Sequence, residues 1–316
     1  MPSRVPLRAQ LETYCCSRLA PAANPRIVDW IPLTGGWEHE VYELGLETGP
    51  PADRRIQRLV LRLNPREEAG PAVAHEARTL TLLADAGFRA PRLWAAETTC
   101  EALGAPFVLV EHISGRPLVD AMPRATPEAR ERLRTSYCAL LARLHQLDWH
   151  PFADEETRQS LTLDALLAAA RRVCSGVPSL AGTVAWLERH RQLIDEQRAV
   201  LHGDPHLANT LVDDDEALVL IDWSASGVGD PRVDLSRSMI IVRGYGTNAR
   251  RDMFVAAAGR MPYLEWFEVL AAVRHLGMVA ERAAARHTAS SDGPHAEAAA
   301  RISAFVERVI AAPPAP

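Results

Sequence analysis

Three oxygen-bearing side chains lie close together in the sequence: Asp204, Asn209 and Asp222. Between the last two, a predicted strand at 210–212, a polar turn at 213–216 and an apolar return strand at 217–221 predict a β-hairpin. Because a hairpin brings its two ends together, Asn209 and Asp222 are expected to be neighbours. An amide oxygen beside a carboxylate, with a second carboxylate close by, suits a hard ion such as Mg²⁺. These three side chains indicate phosphoryl transfer. That reaction needs metal ions on the phosphates and a carboxylate that takes the proton from the incoming hydroxyl.

The motif H-G-D at 202–204, followed by Asn209 and Asp222, resembles the catalytic and metal-binding loops of the aminoglycoside phosphotransferase and choline kinase family. Members of this family are small-molecule relatives of protein kinases, which carry H-R-D-x-x-x-x-N and D-F-G at these places. The resemblance implies that Asp204 is the catalytic base and that Asn209 and Asp222 bind Mg²⁺. His206 stands where protein kinases place a lysine near the γ-phosphate, so the resemblance implies an assisting catalytic role for it.

The same resemblance implies an α+β, two-lobed protein-kinase-like fold. Residues 1–113 are expected to form a nucleotide-binding lobe, an antiparallel β-sheet with one key helix, preceded by an amphipathic helix at 7–20. Residues 114–316 are expected to form a larger, mainly helical lobe that carries the catalytic and acceptor-binding residues. The length of 316 residues allows two domains. The tail at 311–316 is rich in Pro and Ala and is predicted to be disordered.

The basic residue of the nucleotide site is unusual, because the chain contains no lysine and all 35 basic residues are arginine. Leu59, Leu61 and Leu63 alternate with Arg62 along a predicted strand, which puts Arg62 on one face. By resemblance Arg62 takes the place of the lysine that holds the α- and β-phosphates. Glu76, on a helix predicted over 72–86, is expected to pair with it.

Two further segments complete the nucleotide site that the resemblance implies. Gly35 and Gly36 form a turn between strands, where the backbone can approach a phosphate closely. An ordinary hairpin turn explains these glycines equally well. The strand at 107–115 is similar to the interlobe linker of the family, whose backbone around Glu111 and Ile113 bonds the adenine. The implied cofactors are ATP, or GTP, and Mg²⁺.

Structural roles are expected for the other polar residues near the motif. His202 is expected to pack beneath the loop and fix its backbone, and His145 to be a hydrogen-bonded core histidine. Asp234 is expected to cap the helix that follows it and to brace the catalytic loop.

Composition narrows the function classes. The net charge of −5 does not indicate the basic surface that binds nucleic acid. Five cysteines without C-x-x-C pairing argue against a zinc site or a disulfide framework and fit a reducing cytosol. Residues 1–10 lack an apolar signal core, and the sequence contains no run of about 18 apolar residues that could span a bilayer. We therefore expect a cytoplasmic protein, and the sequence leaves its oligomeric state open.

The acceptor is a small-molecule hydroxyl whose identity the sequence leaves open. Residues 236–316 contain ten arginines against seven acidic residues, a poor match for a polycationic aminoglycoside. Aromatic residues could line a pocket for a macrolide or could be core residues; they are Trp186, Tyr245, Tyr263, Trp266 and Phe267. Choline, homoserine and sugar acceptors also stay possible.

Two other functions compete with small-molecule phosphorylation. A nucleotide-binding pseudo-enzyme would account for the arginine at position 62 and the short glycine turn, but Asp204, Asn209 and Asp222 are all present. A protein kinase has little support, because no A-P-E-like segment follows Asp222.

Overall fold

The computed structural model describes residues 6–18, 25–33, 40–50, 52–153, 160–245, 261–285 and 293–315. The chain divides into two compact units, Met1–Ser114 and Gly115–Pro316. The division falls one residue after the boundary that the sequence suggested. Gly35 and Gly36 lie outside the described residues, so their role stays a prediction.

The N-terminal unit contains a five-stranded antiparallel sheet with the strand order β1-β2-β3-β5-β4. The strands are β1 (Arg26–Leu33), β2 (Glu40–Thr48), β3 (Arg55–Leu63), β4 (Leu93–Glu97) and β5 (Phe107–Glu111). The chain enters through helix α1 (Leu7–Arg18), and helix α2 (Gly70–Asp85) connects β3 to β4. This unit therefore has the antiparallel sheet and the key helix that we expected.

Alternation along β3 decides which of its side chains enter the core. Leu59, Leu61 and Leu63 are buried, whereas Arg62 projects to the other face. Strands β2 and β5 pair with β3 on its two sides, so Arg62 lies in the middle of the sheet. Ladder hydrogen bonds on both sides hold its backbone in place.

Helix α2 ends at Asp85, one residue before the end of the predicted helix, and Gly87 follows two residues later. This glycine has a φ of 69°, a left-handed conformation that glycine adopts without strain. The Gly87 amide donates to the Ala84 carbonyl at 3.0 Å, and the Phe88 amide donates to the Leu83 carbonyl at 2.8 Å. These bonds satisfy carbonyl groups that the helix end would otherwise leave without partners.

The C-terminal unit is mainly helical. Its helices are α3 (Leu118–Ala121), α4 (Pro127–His145), α5 (Leu163–Gly176), α6 (Ala181–His190), α7 (Pro231–Tyr245), α8 (Leu264–Ala285) and α9 (Pro294–Val309). Its short strands are β6 (Gly115–Pro117), β7 (Ser160–Leu161), β8 (Ala199–Leu201), β9 (Thr210–Asp213), β10 (Leu218–Leu220) and β11 (Gly227–Gly229). They form two three-stranded sheets, β10-β9-β6 and β7-β11-β8. Among the described helices, none is both long and apolar enough to cross a membrane.

Helix α8 supplies two large aromatic residues to the core of this unit. Trp266 is fully buried and Phe267 nearly so, and the Trp266 indole donates to the Leu187 carbonyl at 2.9 Å. Trp186 on α6 joins the same apolar cluster. Burying a large apolar side chain stabilises a fold by roughly 1.5–3 kcal/mol. For these three residues the core alternative therefore holds, and they are not walls of an acceptor pocket.

The tail at 311–315 is held by two hydrogen bonds, which corrects the prediction of disorder for these residues. The Trp186 indole donates to the Ala312 carbonyl at 3.0 Å, and the Tyr263 amide donates to the Ala315 carbonyl at 3.1 Å. Pro314 is buried. The prediction of disorder relied on the composition of the tail alone. Composition cannot show these two hydrogen bonds, because both donors come from positions far away in the chain.

Candidate active site

The predicted hairpin forms and brings the two candidate metal ligands together. Strands β9 and β10 pair antiparallel, and a polar turn joins them. At the open end of the hairpin, the Ile221 amide donates to the Asn209 carbonyl at 2.9 Å. Asn209 therefore lies beside the residue that precedes Asp222, as the spacing predicted.

Asp204 lies in the loop between β8 and β9, where two basic side chains face its carboxylate. Arg237 Nε donates to Asp204 Oδ1 at 2.7 Å, and His206 Nε2 is 3.5 Å from Asp204 Oδ2. Burial acts to raise the pKa of Asp204, but the charge of Arg237 and its hydrogen bond act in the opposite direction, and the pKa is lowered. The side chain is 31% exposed, so the ionised carboxylate remains accessible to a ligand.

His206 is held in one orientation beside this carboxylate. Its Nδ1 accepts a hydrogen bond from the Ala208 amide at 3.2 Å, which puts the proton of the neutral ring on Nε2. Burial lowers the pKa of His206, although the negative charge of Asp204 opposes that effect. A neutral ring that presents Nε2–H to Asp204 fits these surroundings better than a cation.

The donor set of Asn209 and Asp222 fits magnesium. Asn209 Nδ2 donates to the Asp204 carbonyl at 3.2 Å, and within the described ranges no hydrogen bond reaches the amide oxygen. Asp222 is partly exposed, and its Oδ1 accepts from Ser224 Oγ at 2.8 Å. Hard oxygen donors of this kind suit Mg²⁺, which takes one or two protein ligands and completes its shell with phosphates and water. Over the described part of the chain, no group of three or more His, Cys, Asp or Glu residues could hold a metal.

The backbone at Asp222 is unusual. Its φ of 64° and ψ of 73° lie in the left-handed region, which few residues other than glycine adopt. The next residue, Trp223, is almost fully buried, and its indole donates to the Leu220 carbonyl at 3.1 Å. Its ring also packs on His202, with centroids 4.6 Å apart. Packing of Trp223 thus holds Asp222 in a conformation that would otherwise cost free energy.

Asp234 of α7 binds the backbone of the catalytic loop. Its carboxylate is fully buried and accepts from the His202 amide at 2.9 Å and the Gly203 amide at 2.8 Å. His145 Nε2 lies 3.1 Å from the same carboxylate. His202 Nε2 lies 2.9 Å from the Ile221 carbonyl, which links the loop to the hairpin end. These are the contacts expected if Asp234 braces the loop and both histidines are structural.

The helix cap, however, is Asp230 and not Asp234. Helix α7 begins at Pro231, and Asp230 Oδ1 accepts from the Arg232 amide at 3.0 Å. Asp234 lies one turn inside the helix, which leaves its carboxylate for the loop. The sequence showed two aspartates four residues apart, and either could have been the cap.

In the N-terminal unit the expected pair forms. Arg62 Nη1 donates to Glu76 Oε1 at 2.5 Å, and the two side chains are 11% and 6% exposed. Removing one partner of a buried ion pair strongly destabilises the folded protein. The partnership of Arg62 and Glu76 matches the geometry that the resemblance implied.

Glu111 and Ile113 differ in how their backbones are used. The Glu111 amide donates to the Arg92 carbonyl at 2.9 Å, and Glu111 Oε2 accepts from the Arg92 amide at 3.1 Å. The Ile113 backbone forms no hydrogen bond within the described part of the chain. Ile113 therefore keeps a donor and an acceptor for a ligand, whereas the amide of Glu111 is already engaged.

Residues of α7 and α4 that hold the catalytic loop were not predicted from the sequence. Arg237 binds Asp204, and Ser238 Oγ donates to the Pro205 carbonyl at 2.5 Å. Tyr137 of α4 donates to the same carbonyl. The spacing held a signal, because Arg237 lies three residues after Asp234 and therefore on the same helical face.

Known protein families and curated proteins include relatives of this chain. The model of a family described as "Phosphotransferase enzyme family" matches residues 29–271, more than half of the chain. This match confirms the resemblance inferred from the sequence. A curated relative from Mus musculus, acyl-CoA dehydrogenase family member 10, is 30% identical over 242 residues. The alignment covers 69% of this chain but 22% of the relative, so the chain spans about a quarter of the length of the curated relatives it matches.

Solved structures share the fold. A thermostable mutant of aminoglycoside phosphotransferase APH(4)-Ia, in a ternary complex with AMP-PNP and hygromycin B, has a TM-score of 0.65 at 16% identity. The alignment covers 94% of this chain and 98% of the chain of that mutant. Choline kinase LicA from Streptococcus pneumoniae has a TM-score of 0.64 at 14% identity, with the same coverage. These similarities confirm the predicted fold. At such low sequence identities they give no support to a particular function.

Proposed function

Since the chain belongs to the phosphotransferase enzyme family, we propose that it is a small-molecule kinase that moves the γ-phosphate of ATP to a hydroxyl. The observation that carries this proposal is the loop at 202–209. It presents one accessible, ionised carboxylate, Asp204, next to an amide and a second carboxylate with the donor chemistry of a magnesium site.

Asp204 is proposed to orient the acceptor hydroxyl and to receive its proton. The lowered pKa makes Asp204 a weak base, which suits a reaction in which bond formation to the hydroxyl lags behind cleavage of the phosphate. Most of the contribution of Asp204 then comes from placing the hydroxyl in line. His206, as a neutral donor, is proposed to keep the carboxylate in position.

Asn209 and Asp222 are proposed to hold Mg²⁺. A bound Mg²⁺ would neutralise negative charge on the phosphate oxygens. The hairpin keeps the two side chains together, and Trp223 fixes the conformation of Asp222. The chain's contribution is to hold these oxygens in place before the nucleotide arrives.

ATP, or GTP, is proposed to bind through residues of the N-terminal unit. Arg62, held by Glu76, would contact the α- and β-phosphates as a bidentate donor. Gly35 and Gly36 would contribute backbone amides, and the backbone of Ile113 would bond the adenine. We also propose a cytoplasmic location, for which the five free cysteines are support.

The acceptor class has two candidates. A hydroxyl-bearing antibiotic would fit the likeness to aminoglycoside phosphotransferases, and a small metabolite would fit the likeness to a choline kinase. The excess of arginine over acidic residues in 236–316 disfavours a polycationic acceptor and so favours a metabolite.

The Arg62–Glu76 pair gives a testable consequence for nucleotide binding. Replacing Arg62 with Met is expected to raise the KM for ATP at least tenfold, because the phosphates lose a charged donor. It should also lower the stability by about 3–5 kcal/mol, because Glu76 keeps its buried charge. Steady-state kinetics and urea unfolding measure the two effects.

Arg58→Met is the matched control for that experiment. Arg58 lies on the same strand, but its side chain is 48% exposed and its ion pairs with Asp29 and Glu43 lie at the surface. The control should change neither quantity appreciably. An unchanged KM for ATP in Arg62→Met would remove Arg62 from the nucleotide site.

The proposed activity is tested by a nucleotide-consumption screen with ATP and GTP. The acceptors are an aminoglycoside, a macrolide, choline, homoserine and simple sugars, with Asp204→Asn as the blank. We expect ADP release that depends on one acceptor class and stops when EDTA removes Mg²⁺. Nucleotide binding without turnover on any acceptor would instead support the pseudo-enzyme alternative.

A further inference from the structure

A buried histidine on α8, His275, contacts the arginine that binds the proposed base. The residue is 1% exposed, and its Nδ1 lies 3.2 Å from Arg237 Nη1. Arg237 of α7 is also buried, and its Nε donates to Asp204 Oδ1 at 2.7 Å. These contacts lead from the interior of the C-terminal unit to the proposed base, in the order His275, Arg237 and Asp204.

The direction of the hydrogen bond between His275 and Arg237 follows from the chemistry of the two groups. A guanidinium carries N–H donors and no acceptor, so Nδ1 of His275 must be the acceptor. The imidazole is therefore neutral, with its proton on Nε2. A ring protonated on both nitrogens could not accept this bond, and it would place a second positive charge beside Arg237.

Arg237 relies on two partners for its orientation. Over the residues that the structure describes, the hydrogen bonds of its side chain go to Asp204 and His275. Two bonds through different nitrogens of one planar, rigid group fix both its position and its tilt, whereas a single bond lets the group rotate about that contact. Without His275, the guanidinium would keep only the bond to Asp204.

Apolar core residues flank His275 on α8. Val273 and Leu276 belong to the large apolar cluster of this unit. The ring of Tyr245 meets the imidazole edge-on, with centroids 5.8 Å apart. Burying a polar ring in such surroundings costs free energy unless the ring is hydrogen-bonded. An apolar side chain would fill the position without that cost, but it could not accept from Arg237.

We propose that His275 is a positioning residue for the transfer reaction, because it holds Arg237 in the orientation that fixes the carboxylate of Asp204. The inference rests on the proposed function, in which Asp204 is the base. Arg237 supports one oxygen of that carboxylate, and His206 Nε2 lies 3.5 Å from the other. A carboxylate held at both oxygens keeps one orientation, and catalysis by positioning depends on that orientation.

The test uses three substitutions on α8. His275→Leu removes the acceptor and keeps an apolar side chain of similar size. His275→Asn is the conservative variant, because its Oδ1 stands as many bonds from the backbone as Nδ1 does and can accept from Arg237. Val273→Ala is the matched control for destabilisation, since it removes buried apolar contacts from the same helix and no hydrogen-bonding group. Urea unfolding of each variant measures its stability.

The first measurement needs neither nucleotide nor acceptor. Exchange of the Arg237 Nε–H with water is followed by ¹⁵N NMR on the full chain, and the signal is assigned by its absence from Arg237→Lys. We expect exchange to be roughly tenfold faster in His275→Leu, the effect of losing one hydrogen bond, because the guanidinium then leaves Asp204 more often. His275→Asn and Val273→Ala should exchange at close to the native rate.

The second measurement is turnover of ATP with the acceptor that gives the highest rate in the nucleotide-consumption screen. We expect kcat of His275→Leu to fall roughly ten- to hundredfold while the KM for ATP stays near native, because a displaced base slows the reaction without weakening the nucleotide site. His275→Asn should recover most of kcat. Val273→Ala should lower the unfolding midpoint and leave kcat near native, so destabilisation alone would not explain the loss.

Three results would overturn the inference. Equal exchange rates in His275→Leu and the native protein would show that His275 does not hold the guanidinium. Faster exchange with a native kcat would show that its hold on Arg237 does not matter for turnover. A loss of kcat that His275→Asn does not restore would leave His275 as a core residue only. Absence of turnover by the native protein on any acceptor would contradict the kinase itself, and the exchange rates would then decide whether His275 holds Arg237.

Discussion

Replacing Asp204 with Asn is expected to lower kcat by roughly 10²–10⁴-fold, the contribution of a positioned acid–base group, while nucleotide affinity stays near native. Asn has the shape of Asp and keeps an oxygen that can accept from Arg237 Nε, so the loop should stay folded. What is lost is the negative charge that orients the hydroxyl and takes its proton. Truncation to Ala would be less informative, because it would also leave Arg237 buried without that contact.

The measurement is acceptor-dependent ADP release at saturating substrates, together with ADP binding by calorimetry. Asp215→Asn is the matched control, since it makes the same chemical change on the exposed turn of the hairpin, close by in the chain. The control should turn over normally. If Asp204→Asn retained near-native kcat, the assignment of the base would be wrong, even though the family assignment would stand.

Much of the site could be predicted because its information is local. Asn209 and Asp222 are brought together because two short strands around a polar turn join them, and that pattern is visible in the sequence. The position of Arg62 on the sheet follows from the period-two pattern of β3 in the same way. A helix stop at Gly87 is also a local signal. Local sequence patterns therefore predicted both the candidate metal ligands and the arginine of the proposed nucleotide site.

What the sequence could not reveal depends on contacts between distant segments. Arg237 meets Asp204 only because α7 packs against the loop, 33 residues earlier in the chain. His275 joins them from α8, where its Nδ1 lies 3.2 Å from Arg237 Nη1, and no spacing rule connects these three positions. The tail was predicted wrongly for the same reason, because the indole of Trp186 that holds it lies 126 residues away. Composition describes what a segment can do alone and says nothing about such partners.

The second large effect is expected at Asp234. Asp234→Asn should lower the free energy of unfolding by about 3 kcal/mol, because the carboxylate is fully buried and accepts from the amides of His202 and Gly203. An Asn side chain has one acceptor oxygen, so its NH₂ group would face a donor. The loop should shift, and turnover should fall by up to about 10²-fold, since small displacements of reacting groups are costly. Urea unfolding and kcat measure the two effects.

A matched control separates the brace from the loss of a charge. Asp148 also pairs with a histidine, His150, at 2.6 Å, but its side chain is 69% exposed. Asp148→Asn should leave the unfolding midpoint and kcat almost unchanged, because water screens a surface ion pair. If Asp234→Asn lost turnover without losing stability, Asp234 would act on the chemistry directly. If it lost neither, the hydrogen bonds to His202 and Gly203 would not be what positions Asp204, and Arg237 would have to hold the base alone.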